Sequence, residues 1–279
     1  MNHQFPFCQI GDFHIFALSD GNMSASLDLL SGIEKADADI IQCNSGIDKP
    51  GDIHINCYLI RGRGRIILVD AGTGPLNSMA GQLKVNLATA GVSPDDVDTV
   101  LITHGHPDHI GGLLDSEKQP VFKRAEIFLH PLEEQHWLDD EKLSVTNERG
   151  QRNFWLVRQT LAAYGQKVRL FNGDEIAEGI QPVLLPGHTP GHTGFRISSG
   201  NQCLLIWGDI VHYPHIQSAQ PTVSILFDND PAKAEETRKY IMEKAASEML
   251  LIAGMHFSQA GFALIVKEGS GYRISYAER

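Results

Sequence analysis

The densest group of chemistry-bearing residues lies between positions 103 and 112, where the chain reads THGHPDHIGG. His104, His106 and His109 provide three imidazoles there, and Asp108 provides a carboxylate. Imidazole nitrogen and carboxylate oxygen are ligands that Zn²⁺ favours, and two histidines separated by one residue on an extended loop can point in the same direction. A solvated histidine-rich turn is the alternative interpretation. We favour metal binding, with Asp108 and His109 facing a second ion.

Further residues of metal-ligand type stand at the ends of apolar runs elsewhere in the chain. Five such runs end on Asp70, His104, His188, Asp209 and His256. If the runs are β-strands, these side chains gather at one edge of the sheets, where α/β proteins commonly bind ligands. A surface histidine cluster by itself would not predict these other positions. The two observations together indicate a metal site.

The elements that must position these residues follow from the hydrophobic periodicity. Short apolar runs bounded by Gly, Pro or Asp alternate with stretches of helical spacing, which predicts an α/β fold. One helix is predicted from Asn77 to Ala90, ending before Gly91, and another from Asp230 to about Ser247, with Pro231 in its first turn. The candidate strands are Phe13–Leu18, Ile55–Ile60, Arg65–Val69, Thr99–Thr103, Glu126–Leu129, Val168–Phe171, Gln181–Leu185, Gly194–Ile197, Gln202–Trp207, Met249–Ala253 and Phe262–Val266.

Two segments, Asp20–Asp52 and Asp139–Asn153, fit neither period. Long irregular segments in compact domains are usually lids, binding loops or interface arms. We therefore expect 20–52 to form an arm and 139–153 a lid, within one domain that spans residues 1–279. Short helices that the pattern does not reveal would also account for both segments.

The composition narrows the classes of partner. The chain has 279 residues, 42% hydrophobic and 20% charged, which is typical of a globular protein. Its 23 basic and 34 acidic side chains give a net charge of −11, so nucleic acid and anionic lipid are poor partners. The apolar stretches fall short of the roughly 20 residues that a membrane helix needs.

The N-terminal segment and the cysteines indicate the cellular compartment in which we expect the protein. The segment Met1–Ile10 lacks the cationic and apolar regions of a secretory signal. We expect a cytoplasmic protein, although a trimmed precursor would look the same. The four cysteines are widely spaced without a CxxC pair, which favours reduced thiols over a disulfide or zinc framework.

The motifs resemble those of the metallo-β-lactamase superfamily, whose five motifs match the strand-end residues in order and spacing. The resemblance implies an αββα sandwich, with two mixed β-sheets flanked by helices, and a two-metal site. In that pattern the first ion would be held by His104, His106 and His188. The second would be held by Asp108, His109 and His256. Asp209 would bridge the ions, and Asp70 would orient the ligand loop without touching metal.

A closer resemblance extends over almost the whole chain, to the methyl parathion hydrolase-like branch, whose relatives include quorum-quenching lactonases. It covers residues 11–21, 83–114, 186–193, 208–212 and 227–231. The bridging aspartate argues against a true β-lactamase, since the antibiotic-degrading members lack it. Only 23 residues follow His256, too few for the helical domain of glyoxalase II-type relatives. The excess of acidic over basic side chains argues against the tRNA-processing nucleases of the superfamily, because an acidic surface repels RNA.

Several single residues receive smaller assignments. His192 is expected to be a structural, hydrogen-bonding histidine and not a ligand. His212 occupies the region where lactonase relatives carry a tyrosine that contacts the substrate carbonyl oxygen, so a substrate-facing role and a plain loop histidine remain evenly matched. Trp137, Phe154 and Trp155 could line an apolar pocket, although aromatic residues more often belong to the core.

These observations predict a binuclear metal-dependent hydrolase. Two divalent ions, zinc first, with manganese, iron or cobalt as alternatives, would activate a shared water as a bridging hydroxide, and Asp108 would handle the proton. Lactones and esters are the expected small-molecule substrates, with organophosphate triesters as a side activity. An iron-dependent redox member of the same fold, of the dioxygenase type, is the alternative, and a metal-stabilised binding protein is less favoured. Relatives of this branch are often dimers, so a homodimer is a further expectation.

Overall fold

Two β-sheets form the centre of the molecule in the computed structural model, which describes residues 4–171 and 173–277. Residues 1–3, 172 and 278–279 of the expected 1–279 domain lie outside the described part. The first sheet has the order β1-β2-β4-β5-β6-β7-β8. Its strands are β1 Phe7–Ile10, β2 Phe13–Ser24, β4 Asp52–Gly62, β5 Arg65–Val69, β6 Thr99–Leu101, β7 Glu126–Leu129 and β8 Val168–Leu170.

The second sheet has the order β15-β14-β13-β11-β10-β9, and β12 pairs with β3 in a small separate ribbon. The strands of the second sheet are β9 Ile180–Leu184, β10 Thr193–Ser199, β11 Gln202–Ile206, β13 Leu251–Ala253, β14 Phe262–Glu268 and β15 Gly271–Tyr276. The ribbon consists of β3 Leu30–Ser31 and β12 Ser224–Ile225.

Helices cover the outer faces of the two sheets. They are α1 Lys35–Asn44, α2 Leu83–Thr89, α3 Pro107–Ile110, α4 Pro131–Leu138, α5 Asp140–Val145, α6 Glu148–Tyr164, α7 Pro214–Ala219 and α8 Pro231–Ser247. None of the helices within the described ranges combines the length and the apolar character that crossing a bilayer requires.

The layering follows from strands that are apolar on both faces. In β5, Ile67 and Val69 point into the core between the sheets, while Leu68 joins the outer core that includes Leu87 of α2 and Val157 of α6. Successive side chains of a strand point to opposite faces, so one uninterrupted apolar run serves two cores. In the second sheet, Leu204 and Ile206 of β11 likewise point into the core between the two sheets. This is the αββα sandwich that the resemblance to the metallo-β-lactamase superfamily implies.

The strand prediction is confirmed for all eleven candidates, with ends shifted by a few residues. Four short or edge strands, β1, β3, β12 and β15, were not predicted, because they carry no strong apolar run. The helix at α8 is confirmed, with Asp230 accepting a hydrogen bond from the Lys233 amide. The helix predicted from Asn77 begins only at Leu83.

The late start of α2 has a backbone cause. Gly81 has a φ of +79°, which a right-handed helix cannot accommodate. Met79, which lies within the predicted helix, therefore precedes the observed one and is 56% exposed. The predicted end of the helix is right, since Gly91 adopts a φ of +71° just beyond it.

Both segments that the sequence left irregular contain regular structure. Residues 20–52 include the end of β2, a 3-10 turn at Leu27–Leu29, β3 and α1. Residues 139–153 include α5 and the first turns of α6. The expectation of long irregular loops was therefore wrong, and the alternative of short helices is right. These helices are too short for the 3.6-residue period to stand out.

Asp20, at the start of the first of these segments, is fully buried and holds the beginning of α2. Its carboxylate accepts hydrogen bonds from the Thr73 amide (2.8 Å), the Thr73 hydroxyl (2.9 Å), the Gly81 amide (3.0 Å) and the Leu83 amide (2.9 Å). The carboxylate thus ties β2 to the loop that follows β5. A buried donor that loses its acceptor costs about 1–3 kcal/mol.

We expect Asp20→Ala to lower the free energy of unfolding by at least about 3 kcal/mol, because four donors lose their acceptor together. Chemical denaturation with circular dichroism measures this. Asp28→Ala in the same segment is the control, since its ion pair with Lys35 is exposed and should contribute far less. Equal losses in the two variants would contradict the anchoring role of Asp20.

Candidate metal centre

The directions of the strands bring the candidate ligands together. β5, β6 and β7 run parallel, so Asp70 after β5 and the loop from His104 after β6 leave the same edge of the first sheet. In the second sheet β11 and β13 are parallel, and β9 shares their direction because β10 is antiparallel to both β9 and β11. His188, Asp209 and His256 therefore leave that sheet at one edge. The gathering predicted from the sequence is confirmed.

Three imidazoles form the first group of potential ligands: His104, His106 and His188. His104 Nε2 lies 3.0 Å from His106 Nδ1, His106 Nδ1 lies 2.9 Å from His188 Nε2, and the two Nε2 atoms are 3.1 Å apart. Burial lowers the pKa of His104 and that of His106 well below the ordinary value. These two rings are therefore neutral, which is the state that binds metal.

The hydrogen-bond partners on the outer sides of the His104 and His188 rings decide which ring nitrogen carries the proton. Thr103 Oγ1 donates to Asp70 Oδ2 (2.7 Å), so it can only accept from His104 Nδ1 (3.0 Å). His188 Nδ1 donates to Asp228 Oδ1 (3.0 Å). The inward nitrogens of His104 and His188 consequently present lone pairs to each other. Facing lone pairs repel, and a cation between them removes the repulsion.

The second group comprises Asp108, His109, Asp209 and His256. His109 Nε2 lies 3.4 Å from Asp108 Oδ2 and 3.2 Å from Asp209 Oδ2. His256 Nε2 lies 3.0 Å from Asp209 Oδ2. Behind the rings, His109 Nδ1 donates to Asp70 (2.6 Å) and His256 Nδ1 donates to the carbonyl of His54 (2.9 Å).

Asp209 lies between the two groups. Its Oδ2 is 3.4 Å from His188 Nε2 and 3.7 Å from His104 Nε2, in addition to its contacts with the second group. Within the described residues, Asp209 Oδ1 and His109 Nε2 are buried without any hydrogen-bond partner. Buried polar atoms normally have a partner, so two orphans aimed into one cluster of ligand-type groups fit a divalent cation.

The charge states of the two carboxylates agree with that fit. Burial opposes ionisation of Asp209, but His109 and His256 outweigh it and hold the pKa of the carboxyl well below its ordinary value. Burial likewise opposes ionisation of Asp108, and His109 and His256 again reverse the effect, so that its pKa is lowered. Both carboxylates are therefore available as anionic ligands at neutral pH.

Asp70 lies behind the second group and not within it. Its carboxylate accepts from the Thr103 amide (2.8 Å), from the Thr103 hydroxyl (2.7 Å) and from His109 Nδ1 (2.6 Å). Its backbone adopts a φ of +57°, which is uncommon outside glycine. The strand thus turns sharply at Asp70, and the carboxylate then fixes the loop that carries the ligands.

His192 has both ring nitrogens occupied. Nδ1 donates to the Leu185 carbonyl (2.8 Å), and Nε2 accepts from the Asp209 amide (2.9 Å). Its expected structural role therefore fits these contacts, and the ring also holds the backbone of Asp209 in place. Gly208 has a φ of +64°, and a Cβ atom there would collide with His192 Nε2. Only glycine allows this approach.

Glu133 of α4 is a site residue that sequence reasoning missed. Its buried carboxylate accepts from the Gly105 amide (3.0 Å), the Gly191 amide (2.9 Å) and Trp137 Nε1 (2.7 Å). It thus joins the loop of His104–His106, the loop after His188 and the indole of Trp137. Nothing in the sequence marks it, because it is one acidic residue on the first turn of an ordinary helix. The role of Asp228 as the hydrogen-bond partner of His188 was also missed, although Asp228 lies within the stretch 227–231 that the resemblance covers.

His212 lies close to Asp209, with its Nε2 3.2 Å from Asp209 Oδ2. Its ring stacks on that of His256, with the centroids 4.9 Å apart. Burial lowers the pKa of His212 to about 4, so the ring is neutral at pH 7. Together with His188 and Asp209 it forms a third group that could hold a cation. The sequence did not anticipate this second option for His212.

Two neighbouring chambers lie over the cluster, and both are lined by His106, Arg149 and Phe227. The small chamber, about 170 Å³, lies against the ligands, since Asp108, Asp209 and His212 also line it. The large chamber has a volume of about 560 Å³. It is also lined by Trp137, by Phe154 and by several residues between positions 142 and 150, where α5 ends and α6 begins.

The three aromatic residues assigned to a pocket have different positions. Trp137 and Phe154 are buried, pack with their rings 4.9 Å apart and line the large chamber. Trp155 is 53% exposed and does not line either chamber, so its assignment to the pocket was wrong. Neighbouring residues on a helix point about 100° apart, which places Phe154 inward and Trp155 outward.

Comparisons with known proteins agree with this geometry. A crystal structure described as hydrolase AbOPH in the beta lactamase superfamily superposes with a TM-score of 0.91 at 28% identity, covering 99% of this chain and 98% of that chain. AidC, described as a dizinc quorum-quenching lactonase in complex with a product, superposes with a TM-score of 0.92 at 26% identity and the same coverage. This chain is therefore similar to both proteins over almost its whole length.

Matches among curated sequences are shorter. A "probable metallo-hydrolase" of Mycobacterium tuberculosis is 27% identical over 130 residues, which is 44% of this chain and 40% of the relative. The chain thus spans about two fifths of that relative's length. The model of the Metallo-beta-lactamase superfamily matches residues 50–249, well over half of the chain. With its sandwich of two sheets and its cluster of histidines and aspartates at their common edge, the chain belongs to the metallo-beta-lactamase superfamily.

Proposed function

We propose that the protein is a binuclear metal-dependent hydrolase of lactones and esters, with organophosphate triesters as a further substrate class. The observation that carries the proposal is the position of Asp209 Oδ2, which lies within 3.7 Å of ring nitrogens from both ligand groups. A carboxylate shared in this way suits a pair of cations a few ångströms apart. The dizinc lactonase AidC, which has the same fold, supports the choice of substrate class.

The residues divide into two ligand sets with Asp209 common to both. His104, His106 and His188 would hold the first ion. Asp108, His109 and His256 would hold the second, with Asp70 orienting His109. Zinc is the first choice, because imidazole and carboxylate ligands suit it, and manganese, iron or cobalt are alternatives. When bound, such ions supply hydroxide at neutral pH and polarise the oxygen of the scissile group.

Asp108 is the ligand-type carboxylate best placed to move a proton. Its side chain is 14% exposed, whereas those of His109 and Asp209 are at most 2% exposed, and it lines the small chamber. It is ionised at neutral pH, which is the state that a proton acceptor needs. The same carboxyl could then protonate the leaving alkoxide, as a general acid does.

His212 would donate a hydrogen bond to the substrate oxygen on which negative charge develops. It lines the small chamber beside Asp209, and a neutral imidazole carries one N–H. A donor at this position stabilises the transition state more than the ground state. The competing role, as a metal ligand together with His188 and Asp209, predicts a loss of metal when His212 is removed.

Residues 139–153 would cover the substrate entrance, the role expected from the sequence for a lid. Lys142, Val145 and Arg149 of this segment line the large chamber. Val145 is 85% exposed, so an apolar side chain stands open at the mouth. Such a residue suits contact with the acyl part of an ester.

An iron-dependent redox enzyme of the dioxygenase type is the alternative. A mononuclear centre would leave Asp108, His109 and His256 without a role as ligands. Here these three residues converge with Asp209, and His109 Nε2 is left without a hydrogen-bond partner in the described structure. This arrangement favours two ions and therefore hydrolysis.

A substrate screen tests the proposal directly. Metal-replete protein should hydrolyse members of a panel of acyl-homoserine lactones, simple lactones, aryl esters and a phosphotriester, measured by pH-stat. Metal analysis should find two ions per chain. One ion per chain, oxygen uptake and no hydrolysis would instead support the redox alternative.

Replacing Asp209 by Ala should remove one of the two ions and most of the turnover, because two cations would lose their shared anionic ligand. Metal content by plasma mass spectrometry and initial rates check this. Asp95→Ala, at an exposed position outside the site, is the control. A variant at Asp209 that keeps two ions and near-native turnover would show that the ligand assignment is wrong.

His212→Ala should keep both ions and its fold but lose at least about tenfold in kcat on lactones, since one oxyanion donor is typically worth about 10²–10³ and an ion can partly replace it. His212→Gln, which keeps a donor, should recover part of the loss. Steady-state kinetics and metal analysis distinguish the roles. Unchanged kinetics would make His212 a plain loop histidine, and loss of an ion would make it a ligand.

Glu133→Gln should weaken metal binding by about 10–100-fold, the usual cost of disturbing groups that hold metal ligands in position. The amide keeps the shape but places a donor against the amides of Gly105 or Gly191. Competition with a chromophoric chelator measures the affinity. Glu134→Gln on the same helix is the matched control, and equal affinities in both variants would remove Glu133 from the site.

A further inference from the structure

Arg149 stands where the two chambers meet, in the first turn of α6. It lines both chambers, as do His106 and Phe227. Its guanidinium lies 4.1 Å from the centre of the Phe227 ring, a cation–π contact that fixes the plane of the group. The guanidinium of Arg149 makes no hydrogen bond or ion pair with any residue in the described ranges. Its five N–H donors are therefore available to a ligand.

The acidic residues around the chambers are already engaged. Asp108 and Asp209 belong to the candidate ligand groups. Asp228 binds His188 (3.0 Å) and Arg238 (3.4 Å). None of these carboxylates makes an ion pair with Arg149. An arginine that faces a cavity without a carboxylate partner is unusual in a chain whose net charge is −11.

The other cation of the large chamber differs from Arg149. Lys142 lies 3.9 Å from Asp139 Oδ2 and 3.5 Å from His136 Nδ1, so its charge is partly compensated. Burial lowers the pKa of His136 to about 4, which leaves that ring neutral. Arg149 is thus the positive charge without an ion-pair partner among the described residues that line the chambers. Partial burial lowers its pKa from the ordinary value, and the more distant carboxylate of Asp108 opposes that effect.

We propose that Arg149 recognises a carboxylate on the part of the substrate that does not react, so that the enzyme prefers lactones and esters carrying an anionic group on the acyl side. The inference rests on the proposed function and specifies its substrate class. The geometry supports it, because Arg149 borders the small chamber beside the candidate ligands. A carboxylate a few bonds from the scissile carbonyl could reach the guanidinium.

The chemistry of arginine gives this contact its selectivity. A planar guanidinium binds a carboxylate through two parallel hydrogen bonds, and such charge-assisted bonds are about twice as strong as neutral ones. A neutral acyl chain of the same length would leave the donors unpaired as it displaces their water. The site would therefore distinguish the two substrates by charge and not by size.

Matched aryl esters test the proposal on the metal-loaded enzyme. The 4-nitrophenyl monoesters of succinic, glutaric and adipic acid are compared with the esters of butanoic, pentanoic and hexanoic acid. We expect the ratio of kcat/KM, anionic over neutral, to exceed about tenfold for at least one chain length. Arg149→Gln should abolish this preference while hydrolysis of the neutral esters changes little. Arg149→Lys should retain part of the preference, because lysine keeps the positive charge but cannot form the two parallel hydrogen bonds of a guanidinium.

Arg152→Gln is the control, since Arg152 lies on the same helix, carries the same charge and does not line either chamber. It should keep the wild-type preference. If all variants lower the preference equally, the effect is one of net charge and the proposal is overturned. Metal content and thermal melting of each variant confirm that the site and the fold are intact.

A binding measurement separates this proposal from the hydrolytic function. The corresponding 4-nitroanilides resist hydrolysis, and calorimetry gives their Kd on the metal-loaded protein. Tighter binding of the anionic anilide that disappears in Arg149→Gln supports the proposal, even if no ester is turned over. Hydrolysis of neutral esters without any anionic preference in Kd or kcat/KM would overturn the role of Arg149 and leave the hydrolase function standing.

Discussion

The structure depends on the crowding of five imidazole nitrogens around one carboxylate oxygen, Asp209 Oδ2, at distances of 3.0–3.7 Å. The rings of His104 and His188 cannot satisfy each other, because the proton of each is directed outward to a fixed acceptor. The inward atoms are therefore left to a cation. Burying so many polar groups without that cation is costly, which is why the surrounding fold must hold them rigidly.

The scaffold supplies this rigidity in layers. Parallel strands deliver the ligand loops to one edge, and buried carboxylates behind them hold the loops in register. Asp70 fixes His109, Glu133 joins two loops to Trp137, and His192 holds the backbone of Asp209. The strained turn at Asp70 and the close approach at Gly208 are local costs that the packed sheets can bear. Disturbing a group behind the ligands should thus affect metal binding as surely as removing a ligand.

The chambers in which we propose that substrate is selected lie in a different part of the molecule. The two chambers are bounded by α5, the start of α6 and the loop containing Phe227, which can vary without moving the ligands. Trp137 and Phe154 contribute apolar surface there, and Arg149 contributes an uncompensated charge. Members of one fold commonly differ in function through such loops, while the sheets stay constant.

The sequence by itself determined the α/β class, the eleven main strands and the seven residues that converge at the sheet edge, because apolar runs and the histidine motif are local patterns that spacing reveals. The sandwich arrangement of the sheets was implied only by the resemblance of the motifs to those of a known superfamily. It could not show that Gly81 delays α2, that α1 and α5 are helical, or that Trp155 points outward. The roles of Glu133, Asp228 and Arg149 were also hidden from it. These three roles depend on contacts between residues far apart in the chain, and only the packing of the two sheets decides which distant groups meet, which charges are paired and which one is left free.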